Sequence, residues 1–295
     1  MSTHQPYGSD RSGGRPPGPR EPVRPLLEVA GLEVSFAARR RTRTRVLKGV
    51  SFDIRPAETF GLVGESGSGK TTIGRAVLGL VPVQAGTITF DGERIERAAP
   101  RRRRELSRDL QVIFQDPYTS LNPSFSIGDT LMEPLIAQGT ADREARGRVG
   151  ELLERVRLPA DAADRLPREF SGGQRQRVAI ARALALRPKL IVCDEPVSAL
   201  DLTTQHTVLE LLLEIQEQTA VSYLFVSHDL SVVRYMSHRV AVIHQGELVE
   251  TGEADQVTAR PEHPYTRALM LSAPVADVHE QRRRRRELAQ ETGVS

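Results

Sequence analysis

The 295 residues are enough for one large or two small domains with a sizeable core, and no run of 18 apolar residues argues for an α-helical membrane span. A formal charge of +3, with arginine runs that carry no interleaved aromatic residues, offers no stacking platform for single-stranded nucleic acid, and no nucleic-acid partner is expected. The one cysteine, Cys193, excludes an internal disulfide and a four-cysteine metal site; with no apolar leader at the N-terminus, a cytoplasmic protein is expected.

Residues 1–25 are rich in Gly, Pro, Ser and Arg without apolar periodicity and read as a disordered tail. Residues 26–29 and 32–36 read as strand, with Gly31 a bend or bulge. An Arg- and Thr-rich connection over 37–45 leads to a returning strand over 46–54. Residues 59–63 form a short apolar strand, followed by Gly64-Glu65-Ser66-Gly67-Ser68-Gly69-Lys70-Thr71, which fits the phosphate-binding pattern G-x-x-x-x-G-K-[ST]. A helix over 72–80, headed by Thr72, comes next. Glycines let successive N–H groups point inward, and the helix N-terminus completes an anion cradle. In this arrangement Lys70 reaches the β- and γ-phosphates and the Thr71 hydroxyl sits on Mg²⁺. A nucleoside triphosphate is the expected ligand.

A short strand over 87–90 ends at Asp91-Gly92, and the basic run 101–104 reads as a solvated helix face. Residues 111–114 form another strand, ending at Gln115-Asp116-Pro117. Ile127, Leu131, Leu135 and Ile136, then Val149, Leu152, Leu153, Val156 and Leu158, recur at helical spacing and predict a helical insertion over about 121–170. Ser171-Gly172-Gly173-Gln174 precedes a helix over 176–186. Residues 190–193 form a continuous apolar strand of the buried parallel type. A helix over 203–218, a strand over 223–226 ending at Ser227-His228-Asp229, a short helix, and a strand over 240–243 that turns at Gln245-Gly246 complete the pattern. Strands alternating with helices predict an α/β fold: a mainly parallel sheet covered on both faces, with an antiparallel β portion attached and the chemistry at the strands' C-terminal ends.

Asp194 and Glu195 close the strand over 190–193. Asp194 is the expected Mg²⁺ holder and Glu195 a candidate general base, although two acids in this place also suit a helix cap. Ser171-Gly172-Gly173-Gln174 sets a hydroxyl and free N–H groups at a helix N-terminus, a second anion site. One nucleotide does not need both sites from one chain. Two chains facing head to tail would each lend this segment to the other's nucleotide.

These residues carry a family resemblance. The chain resembles ATP-binding cassette (ABC) ATPases over residues 26–252, with the phosphate loop, Gln115, Phe170-Ser171-Gly172-Gly173-Gln174, Asp194-Glu195, Ser198-Ala199-Leu200-Asp201 and His228 in that family's order. The resemblance implies a P-loop NTPase core with an inserted helical subdomain, and ATP and Mg²⁺ as ligands. It implies that Gln115 touches Mg²⁺ and water, that Asp201 communicates across a dimer, and that His228 contacts the γ-phosphate and holds the attacking water. Phe170 stands where the family often has Leu, and Phe36 is the candidate to stack on adenine. Residues 26–272 would form a single ATPase domain, followed by a polar, Arg-rich tail over 273–295.

Within the family, Phe114-Gln115-Asp116-Pro117, Ser120-Leu121-Asn122-Pro123 and His263-Pro264-Tyr265-Thr266-Arg267-Ala268-Leu269 resemble oligopeptide/dipeptide importer ATPases. Nickel-import and phosphonate-pathway relatives share parts of these stretches. No cysteine follows Cys193 in these 295 residues, so the iron–sulfur cluster proposed for many peptide-importer ATPases is not expected. The implied partners are a second ATPase subunit, identical or paralogous, two membrane-spanning permease subunits and, indirectly, an extracytoplasmic solute-binding protein, with the ATPase peripheral on the cytoplasmic face of the membrane. The alternatives are a nickel or other small-solute importer ATPase and a non-transport ABC ATPase. Pro117 and Pro123 stiffen the connection from Gln115 to the insertion, so the groove between insertion and core is the expected socket for a permease helix, with Tyr118 and Leu121 as wall or core residues.

Overall fold

The computed structural model describes residues 24–37, 43–116 and 120–272. Residues 1–23 of the tail expected over 1–25, the tail expected over 273–295, residues 38–42 of the first connection, and Pro117 and Tyr118 lie outside the described residues. Two sheets organise the rest, and their burial patterns show why. In β1 (Leu27–Ala37) the buried positions run Leu27, Val29, then Leu32, Val34. That change of phase falls at Gly31, whose φ of 60° lets an extra residue into the strand as a bulge. β1 pairs antiparallel with β2 (Arg43–Ile54) on one side and β4 (Ala85–Phe90) on the other, and β5 (Glu93–Arg94) closes a four-stranded sheet in the order β2-β1-β4-β5.

The second sheet is built from β3 (Thr59–Val63), β6 (Leu110–Ile113), β7 (Leu190–Asp194), β8 (Ser222–Ser227), β9 (Arg239–His244) and β10 (Glu247–Glu253), in the order β10-β9-β3-β8-β7-β6. β9, β3, β8, β7 and β6 are parallel, and β10 alone runs antiparallel, at the edge. β3 and β8 are buried at every position, because both faces of the sheet are covered. Phe60, Leu62, Leu190, Val192, Leu224 and Val226 enter the core shared with the antiparallel sheet and α1 (Lys70–Val77). Val63, Ile191, Cys193, Tyr223 and Phe225 enter the opposite core, against α5 (Gly172–Leu184) and α6 (Leu202–Thr219). Burial pushes the Cys193 thiol far above its usual range.

The insertion consists of α3 (Ile127–Ala137), α4 (Asp142–Arg155) and two 3₁₀ turns at Ala160–Asp164 and Pro167–Glu169. Leu131, Leu135, Val149, Leu152, Leu153 and Val156 join the second core as their spacing predicts, whereas Ile136 is 44% exposed. Leu121 is 3% exposed and belongs to that core, so it is not a wall of a socket. The basic run forms α2 (Pro100–Leu106) and is not wholly solvated: Arg103 is part-buried over Gly79 and donates to the carbonyls of Val77 and Ile95. α7 (Leu230–Met236), α8 (Ala254–Ala259) and α9 (Pro264–Ser272) complete the described helices. None of the described helices is long and apolar enough to cross a membrane.

Candidate functional site

The parallel strands bring the ends of β3, β7, β8 and β9 to one edge, and the phosphate loop crosses it. A side chain at Gly64 would place Cβ 2.2 Å from the Ile243 carbonyl oxygen, so only glycine lets the loop leave β3 against β9. Gly69 has φ 115° and precedes α1 with no side-chain cap, so the first N–H groups of that helix have no capping side chain. The helix begins at Lys70, two residues earlier than the sequence predicts, which brings Lys70, Thr71 and Thr72 into its first turn. The Ser68 carbonyl accepts from the Gly246 N–H at 3.0 Å and anchors the loop to the β9–β10 turn. The Ser68 hydroxyl is buried with no hydrogen-bond partner among the described residues.

Lys70 is 4% exposed, and its ammonium donates to the carbonyl oxygens of Gly64 and Glu65, both at 2.7 Å. An ammonium has three donors, so one remains beyond these two bonds. Burial lowers the Lys70 pKa, against the opposing pull of Glu195, Asp194 and Glu65. The Thr71 hydroxyl donates to Asp194 Oδ1 at 2.9 Å. Burial raises the Asp194 carboxyl above its ordinary value despite that bond. Glu195 takes the left-handed region, φ 50°, with its N–H on the Val226 carbonyl at 2.9 Å, and its Oε2 lies 3.1 Å from His228 Nδ1.

Lys70, Thr71, Glu195 and His228 face a cleft of about 580 Å³, whereas Ser68 and Asp194 do not line it and Asp194 meets it only through the Thr71 hydroxyl. Gly64, Glu65, Ser66, Gly67, Gly69, Lys70, Thr71 and Thr72 line it from the loop, Gln115 from the end of β6, and Glu195 and His228 from β7 and β8. Its apolar lining comes from Val46 and Leu269. An uncapped helix N-terminus with a buried lysine fits a polyphosphate. The oxygen pair of Thr71 and Asp194 fits Mg²⁺, a hard cation that takes one or two protein oxygens and completes its shell with phosphate and water.

Phe36, Ser171, Gly172, Gly173, Gln174 and Asp201 do not line this cleft. Phe36 is 41% exposed at the end of β1. Ser171 caps α5 in its own chain: its hydroxyl accepts from the Gln174 N–H at 3.3 Å, and Gln174 Oε1 accepts from the Ser171 N–H at 2.9 Å. The helix therefore starts at Gly172, four residues before its sequence-predicted start. Asp201 caps α6 through the Thr204 N–H at 3.1 Å and the Thr204 hydroxyl at 2.7 Å. A Cβ on Gly173 would sit 2.2 Å from Thr204 Cγ2, so the two segments are packed together. Sequence reasoning missed Val46 and Leu269 as cleft residues and Tyr265 as a partner of the loop. The only signal was the His263–Leu269 stretch, read there as a subfamily marker.

Comparison with known proteins agrees with this geometry. Residues 249–293 match the family described as oligopeptide/dipeptide transporter, C-terminal region. Glutathione import ATP-binding protein GsiA of Pectobacterium atrosepticum is 51% identical over 260 residues, which cover 86% of this chain and 42% of that protein. GsiA of Escherichia coli K12 is 50% identical over 268 residues, covering 88% and 43%. The chain thus spans about two-fifths of the length of these curated relatives. Among solved structures, the post-hydrolysis dimer of the ATP-binding cassette MJ0796 with ADP and Pi superposes with a TM-score of 0.70 at 28% identity, over 78% of this chain and 99% of that one. CbiO1 of Clostridium perfringens, part of the transporter complex cbiONQ, gives 0.72 at 27% identity over 81% and 92%. Residues 47–198, just over half of the chain, match the ABC transporter family itself, and the chain belongs to that family.

Proposed function

We propose that the chain is the ATP-hydrolysing, energy-coupling subunit of a multisubunit ABC importer for small peptides, with residues 26–272 acting as one ATP-binding cassette. The observation that carries the ATPase reading is the cleft, where loop, lysine, metal-binding oxygens and a Glu–His pair converge. The peptide reading is supported by the match of residues 249–293 and by relatives named for glutathione import, glutathione being itself a tripeptide.

In this reading the loop N–H groups and Lys70 hold the β- and γ-phosphates. Thr71 and Asp194 would hold Mg²⁺, and Gln115, which lines the same cleft, would be within its reach. Bound there, Mg²⁺ neutralises charge on the transferred phosphoryl group. Glu195 accepts the proton of the attacking water, and His228, paired to it at 3.1 Å, keeps the carboxylate oriented and contacts the γ-phosphate. The barrier falls mainly through positioning and electrostatics. Ser171, Gly172, Gly173, Gln174 and Asp201 complete the cleft of a second subunit, identical or paralogous, and receive the same service in return. The dimeric cassette of the solved relative supports that arrangement.

A groove of about 220 Å³ lies between insertion and core, bounded by Phe114 next to Gln115, by Ser120, by Glu133 and Pro134 of α3 and by Arg182 of α5. It is our candidate socket for a permease helix, which would place the subunit on the cytoplasmic face of the membrane. The test is reconstitution of the chain with the permease subunits and solute-binding protein encoded beside it. ATP-dependent uptake of a labelled di- or tripeptide is expected. ATP hydrolysis without binding to any membrane subunit would favour a non-transport ATPase, and uptake of nickel in place of peptide would overturn the substrate class.

A further inference from the structure

The phosphate loop is held from a direction that its own sequence does not announce. The Glu65 N–H donates to the Tyr265 hydroxyl at 3.2 Å, across 200 residues. Four residues further along α9, Leu269 lines the cleft, and among the described residues the only other apolar side chain there is that of Val46 of β2. The geometry of one peptide unit makes this bond consequential. The Gly64 carbonyl and the Glu65 N–H belong to the same plane. Lys70 holds the carbonyl at 2.7 Å, and Tyr265 holds the N–H. Turning that plane moves the ammonium that reaches for phosphate.

α9 is built to stay in place. His263 Nδ1 accepts from the Tyr265 N–H at 3.1 Å, and Pro264 opens the helix, where its missing N–H costs nothing. Glu250 on β10 accepts from the N–H groups of Glu262 and His263 at 2.8 and 3.1 Å. The Tyr265 ring stands 3.9 Å from the His244 ring, centroid to centroid, at the end of β9. Burial holds the Tyr265 phenol above its ordinary pKa, so the hydroxyl remains a neutral acceptor.

We propose that α9 is a working part of the nucleotide site: Tyr265 is a positioning residue that fixes the Gly64–Glu65 peptide plane, and Leu269 is a wall of the nucleotide cleft. This rests on the reading of the cleft as an ATP site. The experiment compares full-length wild type with Lys70→Ala, Tyr265→Phe, Leu269→Ala and Leu269→Met, using Mg²⁺–ATP titration, amide hydrogen exchange at Glu65 and melting of the nucleotide-free protein. Tyr265→Phe keeps the ring on His244 and removes only the acceptor. It should weaken ATP binding about fivefold and speed Glu65 exchange by a similar factor, with nucleotide-free melting unchanged. Leu269→Ala should weaken binding by about tenfold, and Leu269→Met should restore most of it. Wild-type affinity and unchanged Glu65 exchange in Tyr265→Phe, with Lys70→Ala inactive in binding, would overturn the role of Tyr265 and leave the ATP site standing. Affinity losses that merely track a lower melting temperature, with no rescue by Met, would overturn it equally. A wild-type chain that binds no ATP would remove the nucleotide reading and this inference with it.

Discussion

The cleft and the Ser171–Asp201 face are both polar surfaces at helix N-termini, yet they satisfy their donors in opposite ways. At the cleft, α1 starts without a side-chain cap and Lys70 retains a donor. At the other face Ser171 and Gln174 close a reciprocal capping box, and Asp201 closes on Thr204. The hydrogen bonds from Thr204 hold the Asp201 carboxyl below its usual range, so it stays ionised. One surface has donors waiting for an anion, and the other is self-capped and already in shape. That difference is what the proposed pair of half-sites would require: a receptive cleft, and a rigid face to be laid over another chain's cleft.

The largest expected effect separates chemistry from binding at the cleft. Glu195→Gln keeps the shape of the side chain and removes the base, so phosphate release should fall by roughly 10² to 10⁴-fold while Mg²⁺–ATP still binds. The ATP-bound protein should then accumulate as a closed dimer on size exclusion. Turnover at the wild-type rate would leave Glu195 as a helix cap. The other half-site is broken next, in trans. In a mixed pair of a Ser171→Arg chain and a wild-type chain, the site whose phosphate loop belongs to the wild-type chain should lose hydrolysis, which leaves about half of the total. Intact hydrolysis at that site would show that both surfaces serve one chain, and the contrast between them would lose its meaning.

What could be read from the sequence was whatever is local. Eight consecutive residues define the phosphate loop, and Asp194-Glu195 and His228 each follow a buried apolar strand, so their shared edge follows from the parallel order. Helix starts were set too late at Lys70 and Gly172, because Gly69, Gly172 and Gly173 read as loop although the backbone is already turning into helix or lies within it. Contacts between distant segments were out of reach. Tyr265 meets Glu65 only because β10 and Glu250 return the chain to the loop, and Arg103 meets Gly79 only once α2 packs on the end of α1. Leu121 proves to be core and Ile136 exposed for the same reason: which positions of the insertion are covered depends on what packs against it as well as on spacing.

The buried and exposed parts of the insertion are testable with smaller effects. Leu121→Ala should destabilise the chain by about 2–5 kcal/mol in urea unfolding, as loss of a buried leucine does. Ala137→Glu changes an exposed residue of the groove. It should leave unfolding within about 0.5 kcal/mol of wild type and abolish co-purification with the permease subunits. A groove variant that still assembles would move the socket elsewhere.

The smallest effect concerns the self-capped face, and it tells packing apart from ligand contact. A methyl on Gly173 would lie 2.2 Å from Thr204 Cγ2 but 3.6 Å from Thr204 Cβ and 3.7 Å from its hydroxyl oxygen. The collision is therefore with one methyl group. Gly173→Ala should cost about 1–3 kcal/mol by overpacking between α5 and α6. Thr204→Ser removes the offending methyl and keeps the hydroxyl that Asp201 accepts from, so alone it should cost less than about 1 kcal/mol. The double variant should recover most of the loss, giving a coupling energy of at least about 1 kcal/mol in a double-mutant cycle. If the two changes simply add, Gly173 is not held by Thr204. If stability returns in the double variant but ATP hydrolysis by the dimer does not, the glycine has a second duty, leaving room for the partner subunit's phosphates where even a methyl group cannot fit.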